Sequence, residues 1–322
     1  MTWREQRRDL RFAAGLVLRR PFQLLLQVTN RCNMKCTFCD FWPNGVAPRE
    51  ELTLDDYARI EHELSAMGTF LVSIEGGEPF VRPDLLDIVR LFARRHIPLL
   101  YTNGWYVDAE NARALFDAGL AQVGVSIDYA SAARHDRRRG LEGAFERAWQ
   151  AVALLRDAAP HGAKQVHVMT VLMHDNTEEL DALLSMSADA RVGHCATLLS
   201  TRGFRRAPGA AMPSVEIGSA YVDLWTKHPH FRMFGDYIRA IDPFLRGEEM
   251  PACHAGVQSF NIDHVGNVRS ESLRVIHDRM AGADPGQGCQ ECWTACRGFS
   301  QALGEGGSVR AWGDLFTRMR SV

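Results

Sequence analysis

Phe22-Gln23-Leu24-Leu25-Leu26-Gln27-Val28-Thr29-Asn30-Arg31-Cys32-Asn33-Met34-Lys35-Cys36-Thr37-Phe38-Cys39 is the stretch that decides the architecture. Its first part, Phe22 to Val28, is an apolar run of strand length. Its second part places Cys32, Cys36 and Cys39 on one short loop, spaced C-x3-C-x2-C, directly beyond that strand. Three thiolates so spaced can hold three irons of a [4Fe–4S] cluster and leave the fourth without a protein ligand. An open iron is a place for a cofactor or substrate, whereas a structural metal site fills every position. Zinc is the rival for clustered thiols. It usually needs a second cysteine pair nearby, and the next cysteine is Cys195.

Outward from this loop, strand and helix patterns alternate. Thr53-Leu54-Asp55-Asp56 opens a helix: Thr53 caps free amides, and the aspartates suit the positive helix end. Tyr57, Ile60, Leu64 and Met67 recur at helical spacing up to Gly68. Phe70 to Ile74 reads as a strand running into Glu75-Gly76-Gly77-Glu78-Pro79, where paired glycines let backbone approach a ligand. A helix near Pro83 to Arg95, a strand Ile97 to Tyr101 and the turn Thr102-Asn103-Gly104 follow. Then come helix Ala109 to Ala118 and strand Gln122 to Ile127, with Ser126 and Asp128 at its end. The charge run His135 to Gly140 precedes helix Ala144 to Asp157, strand Gln165 to Leu172 and helix Glu178 to Met186. The sixth strand is Arg191 to Leu199, with Cys195 as a small core residue. Such alternation predicts an α/β fold, a parallel sheet with helices outside. Every candidate ligand falls at a strand's C-terminal end, the face where α/β barrels carry their chemistry.

C-x3-C-x2-C after a first strand, with Phe38 before the third cysteine, resembles the signature of the radical S-adenosylmethionine (SAM) superfamily. The resemblance implies a partial (β/α)6 TIM-like barrel over residues 21–203. It implies a [4Fe–4S] cluster on Cys32, Cys36 and Cys39, with SAM at the open iron. Gly76-Gly77-Glu78-Pro79 resembles the family element that holds the SAM amino group through backbone carbonyls and the Glu78 side chain. Asn103 matches an element that contacts SAM or substrate. Ser126 and Arg137, eleven residues apart, match a pair that contacts SAM ribose and carboxylate, with Arg138 or Arg139 as substitutes for Arg137. Leu198 and Leu199 match the apolar position that lines adenine.

A second cysteine set lies near the C-terminus: Cys253-His254, then Cys289, Cys292 and Cys296. Phe260 to Asp263 and Val268 to Ser270 can pair as a hairpin. By itself the set suits tetrahedral zinc. Beside the first cysteine motif it resembles the SPASM or shorter "twitch" extension of radical SAM enzymes, a small cysteine-rich domain (residues 251–322) carrying auxiliary clusters. Glu271 follows Gly266 after four intervening residues, where the full pattern has cysteine. The expectation is one auxiliary [4Fe–4S] cluster on Cys253 and two or three of Cys289, Cys292 and Cys296, with Glu271 as an oxygen ligand or an open position. Asp263, His254 and Glu271 are the candidate catalytic acids or bases.

The chain has 322 residues, 46% hydrophobic and 24% charged, with net charge −2. This charge gives no reason to expect nucleic acid as a partner. No stretch reaches the length of an apolar membrane span, so no stable membrane insertion is expected. Residues 1–20 carry Arg4, Arg7, Arg8, Arg11, Arg19 and Arg20 and read as a basic amphipathic helix under the barrel. Residues 204–250 read as a linker followed by helix, Val215 to Phe244. Clustered cysteines without a signal sequence imply a reducing, cytoplasmic setting. The barrel begins by about Phe22, which leaves no room for a separate leader-peptide-binding domain before it. The resemblance implies hydrogen abstraction from a substrate C–H bond in natural-product biosynthesis, on a small molecule or a ribosomal peptide, with flavodoxin or ferredoxin as electron donor. The reading from another class is a zinc-stabilised binding protein on a barrel scaffold.

Overall fold

The computed structural model describes residues 3–160, 165–200, 211–214, 216–251, 258–266, 294, 295, 297, 301, 302 and 314. The sheet has seven parallel strands among these residues: β1 (Gln23–Thr29), β2 (Leu71–Gly76), β3 (Ile97–Thr102), β4 (Gln122–Ser126), β5 (Val166–Leu172), β6 (Gly193–Leu198) and β7 (Ser259–Ile262). Their order is β6-β5-β4-β3-β2-β1-β7, so the first six follow the chain and β7 closes onto the free edge of β1. The parallel sheet is what the alternating pattern predicts, and the open half-barrel is what the family resemblance implies, with a seventh strand added to the six.

The seventh strand adds a pairing that the sequence pattern does not predict. Ser259–Ile262, within the first arm of the expected hairpin, pairs with β1 in parallel, Leu24 opposite Phe260 and Leu26 opposite Ile262. Four residues of period-two pattern show which side chains share a face, not which strand lies beside them. The other half of that hairpin, 268–270, lies outside the described residues.

The helices cover the outer face. α1 (Trp3–Val17) packs Phe12 and Leu16 near Phe22, at the entry to β1. α2 (Leu54–Met67) begins at Thr53, whose hydroxyl accepts from Asp56 N while the Asp56 carboxylate accepts from Thr53 N. It buries Tyr57, Ile60, Leu64 and Met67 against the strands. α3 (Leu85–Ala93), α4 (Ala109–Asp117), α5 (Ala132–Arg139), α6 (Ala144–Ala158) and α7 (Leu180–Asp189) complete the layer. Alternate strand residues such as Leu24, Leu26, Val72, Ile74 and Val123 meet these helices in one continuous core. The intervening residues point the other way, into the half-barrel.

The expected helix Val215 to Phe244 is broken into α8 (Gly218–Lys227), α9 (Gly235–Arg239) and α10 (Ile241–Leu245). His228-Pro229 ends the first piece, since proline disfavours helical backbone in the residue before it. The freed segment runs back to β6: His194 N donates to His230 O at 3.0 Å and Arg232 N to His194 O at 2.7 Å. It thereby brings Arg232, Met233 and Phe234 into the half-barrel.

Candidate active site

The half-barrel encloses a cavity of about 570 Å3 that starts at the cysteine loop and runs down the inner face of the sheet. Cys32, Cys36 and Cys39 all line it. Backbone hydrogen bonds fix the loop: Lys35 N donates to Arg139 O at 3.2 Å and Thr37 N to Arg138 O at 3.0 Å. Trp42 Nε1 donates to Cys36 O at 3.2 Å. Met34 N donates to Cys32 Sγ at 3.4 Å, and Asn103 Nδ2 lies 3.8 Å from the same sulfur.

Burial pushes the Cys32 thiol up to about 11 and the Cys36 thiol up to about 12, while the positive charge of Arg139 pulls both down. Metal ligation requires thiolates, so loading this loop releases protons. Among the described residues no three His, Cys, Asp or Glu side chains converge as ligands of a single metal ion. Three separate thiols on one cavity wall suit a cluster in which each takes its own iron. The residues present fit a three-cysteine [4Fe–4S] site.

Gly76 and Gly77 line the cavity at the end of β2, but their first reason is packing. A Cβ on Gly76 would sit 2.1 Å from Thr29 O, and one on Gly77 2.2 Å from Arg31 O. Gly77 N donates to Thr29 O at 2.7 Å and Glu78 N to Arg31 O at 2.9 Å. The two glycines therefore let the end of β2 lie directly on the backbone that leads into Cys32.

Glu78 is fully buried and is not among the cavity-lining residues, contrary to the expectation that its side chain reaches SAM. Its carboxylate points under the loop instead. Oε1 accepts from Thr102 Oγ1 at 2.8 Å and Phe80 N at 3.1 Å, and Oε2 accepts from Asn103 N at 2.7 Å. Burial raises its pKa to about 7, although these three donors act to lower it. A carboxyl that binds its proton more tightly when folded gives stability that is full below its unfolded pKa. That stability is lost as pH rises through the folded pKa. The native chain is therefore expected to lose on the order of 3 kcal/mol from this group between about pH 4.5 and pH 7. Chemical denaturation of the cluster-free protein at pH 5 and pH 8 should show this contribution in the wild type and not in Glu78→Gln. Equal pH slopes for the two proteins would refute it.

Asn103, Ser126 and Leu199 also line the cavity. Leu199 packs with Met173 and Tyr129 in a small apolar cluster beside the cysteines. Arg137 does not join them. It is exposed, and the buried arginine of α5 that lines the cavity is Arg139. At 100° per residue, Arg139 shares a face with His135 while Arg137 points away; His135 and Arg139 are the buried residues of α5. Spacing from Ser126 located the helix but not its phase.

Arg139 donates from Nε and Nη2 to Asp128 Oδ2 at 2.9 and 2.5 Å, and its guanidinium lies 5.5 Å from the Phe38 ring centroid. Asp263 is absent from the cavity wall: its carboxylate accepts from Val265 N and Gly266 N and closes a turn after β7. His254, Glu271, Cys253, Cys289, Cys292 and Cys296 lie outside the described residues.

The sequence reading missed the inner wall. Gln23, Gln27, Ser73, Glu75, Tyr101 and His167 line the cavity at alternate strand positions. Strands of a closed parallel barrel are apolar on both faces. Polar residues at period two in β1 (QLLLQVT) and β2 (LVSIEG) were the available signal for an open interior.

A half-barrel of parallel strands with a three-thiol loop beyond its first strand is the arrangement that an iron–sulfur barrel enzyme requires. The sequence profile of the Radical SAM superfamily matches residues 26–186, half of the chain, and the chain belongs to that superfamily. The AdoMet-dependent heme synthase of Methanosarcina barkeri (strain Fusaro / DSM 804) is 34% identical over 139 residues, 43% of this chain and 40% of that protein. The match thus spans less than half of that relative's length. Streptococcus suis SuiB bound to its precursor peptide SuiA superposes with a TM-score of 0.64 at 15% identity, over 89% of this chain and 73% of that one. AnSMEcpe with bound AdoMet superposes with a TM-score of 0.58 at 15% identity, over 93% and 98%. At such identities the likeness is one of fold.

Proposed function

We propose that this chain carries out radical SAM chemistry on an organic substrate held in its half-barrel, in natural-product biosynthesis. The observation that carries this reading is the shared cavity: Cys32, Cys36 and Cys39 line the same wall as Gly76, Gly77, Asn103, Ser126 and Leu199. When bound, the cluster and SAM together supply one-electron cleavage of SAM to methionine and a 5′-deoxyadenosyl radical able to take a hydrogen atom from a C–H bond.

The chain's own residues hold and orient these groups. The three thiolates bind iron. The Gly76 and Gly77 carbonyls suit the SAM amino group, and the Ser126 hydroxyl suits its ribose. Leu199, backed by Met173 and Tyr129, offers an apolar surface for adenine. Arg139 replaces Arg137 as the arginine of α5 that acts at the site. Two residues hold the loop rather than the ligand: Glu78 through Thr102 and Asn103, and Trp42 through the Cys36 carbonyl.

The substrate is a peptide or a small molecule, and the outcome an oxidation, an epimerisation or a cross-link. The fold neighbour SuiB, bound to a precursor peptide, supports the peptide branch. An auxiliary [4Fe–4S] cluster on Cys253 and the late cysteines, and an electron donor of the flavodoxin or ferredoxin kind, complete the proposal. No helix among the described residues is long and apolar enough to cross a membrane.

Anaerobic reconstitution tests the reading. The protein is expected to turn brown, absorb broadly near about 400 nm and bind roughly eight irons, or roughly four without the auxiliary cluster. With dithionite it should convert SAM to 5′-deoxyadenosine. A colourless protein that leaves SAM intact overturns the proposal.

A further inference from the structure

The first five residues of β1, Gln23-Leu24-Leu25-Leu26-Gln27, point alternately to the two faces of the sheet. Leu24 and Leu26 meet the helices in the core, whereas Gln23, Leu25 and Gln27 line the cavity. The strand register places Ser73 of β2 on one side of Leu25 and Asn261 of β7 on the other. Both of these line the cavity as well. Neighbouring strands lie about 4.8 Å apart and alternate residues of one strand about 6.6 Å apart. Four uncharged hydrogen-bonding side chains therefore surround one leucine on the inner wall. Asn261 is exposed at the β7 edge of the sheet, while Ser73, Gln23 and Gln27 are buried. The polar patch thus runs from the open side of the half-barrel to its interior.

The two glutamines are the informative members. Gln23 is 7% exposed and Gln27 4%, yet Oε1 of neither accepts a hydrogen bond among the described residues. A buried carbonyl oxygen without a donor costs stability. An apolar side chain of similar length would remove that cost. The fold gains no hydrogen bond through these oxygens, and both belong to side chains on a cavity wall, where a ligand can bring the missing donors. Gln27 pairs opposite Glu75, the residue before Gly76 and Gly77, so it stands one rung below the glycines proposed for SAM. Gln23 lies about 13 Å further down the same strand.

We propose that Gln23 and Gln27 bind uncharged N–H or O–H donors of the substrate, with Ser73 and Asn261 completing the patch. This rests on the reading of the half-barrel as the substrate chamber. A glutamine carbonyl accepts from such a donor, and the amide and hydroxyl groups of the patch can donate back to a neighbouring oxygen. The spacing of the two glutamines asks for a ligand with donors at more than one point along its length. Peptide groups of an extended chain and the hydroxyls of a sugar both meet that requirement.

The test is calorimetric titration of the reconstituted full chain with two pairs of probes. One pair is acetyl-Gly-Gly-Gly-amide against its fully N-methylated counterpart, which has no N–H. The other is sucrose against its octa-O-methyl ether, which has no O–H. The donor-bearing member of at least one pair is expected to bind about tenfold more tightly than its methylated partner. The pair that shows the preference identifies the source of the donors. The double variant Gln23→Met/Gln27→Met should abolish the preference. A preference that came only from the bulk of the methyl groups would persist in it. The same variant should unfold at a denaturant midpoint no lower than that of the wild type, because it loses two unsatisfied buried oxygens. Equal binding within both pairs, binding of no probe, or a preference retained in the variant overturns the proposal. So does a variant that is less stable or does not fold, since the glutamines would then serve the fold. Substrate-free SAM cleavage by the wild type is measured separately. Its absence would sink the radical SAM reading while leaving the donor preference to be read on its own.

Discussion

Replacing Cys32, Cys36 and Cys39 together with alanine is expected to abolish 5′-deoxyadenosine formation, a fall of at least about a thousandfold, because the cofactor supplies the difficult step. Iron content should fall by roughly four per chain and the broad visible absorption should drop accordingly. Folding should survive. The loop is held by main-chain bonds to the Arg138 and Arg139 carbonyls, and the glycines of β2 lie on its base; no thiol supplies these contacts. The measurements are iron analysis, the visible spectrum and chromatography of the reaction products, with circular dichroism to verify the fold. Undiminished SAM cleavage in the triple variant would show that the active cluster sits elsewhere.

The second large effect falls on Arg139. Asp128 is fully buried and receives three donors: two from the Arg139 guanidinium and one from Val171 N at 2.9 Å. Removing the arginine strands a buried carboxylate with one of the three. Arg139→Met is therefore expected to cost about 3–5 kcal/mol of stability, read as a shift in denaturant midpoint. Arg137→Ala, on the exposed side of the same helix, should change stability by no more than about 0.5 kcal/mol. Adding Asp128→Leu to Arg139→Met should recover much of the loss, because the stranded charge goes with its partner. If Arg137→Ala proved as damaging as Arg139→Met, the helix phase assigned to α5 would be wrong. Arg139→Met should also weaken cluster retention, since the guanidinium favours the thiolates of Cys32 and Cys36.

These two predictions rest on different kinds of information. The cysteine loop was legible as three residue types at fixed spacing beyond an apolar run. The ligand role proposed for it depends on chain distance alone, because a loop this short brings its own thiols to one wall. The roles of Gly76 and Gly77 were half legible. Glycines at a strand end signal a close approach, but whether to a ligand or to other backbone depends on what lies above them. Here Thr29 and Arg31 do. The direction of the Glu78 side chain was not legible: its carboxylate turns inward to Thr102 and Asn103, partners that are 24 and 25 residues distant.

What the sequence determined by itself is local: the strand and helix periods, the Thr53 helix cap, the cysteine spacing and the collection of candidate site residues at strand ends. Each depends on neighbours a few residues apart, so propensity and pattern suffice. The tertiary structure alone decided three things. It placed Ser259–Ile262 as a seventh strand on β1, chose Arg139 over Arg137, and brought Arg232 over Gly193 into the cavity. The physical reason is common to all three. Which strand takes a free edge, which face of a short charged helix turns inward and which side chain fills a glycine gap are settled by packing between distant segments. The order of residues along any one segment does not contain that information.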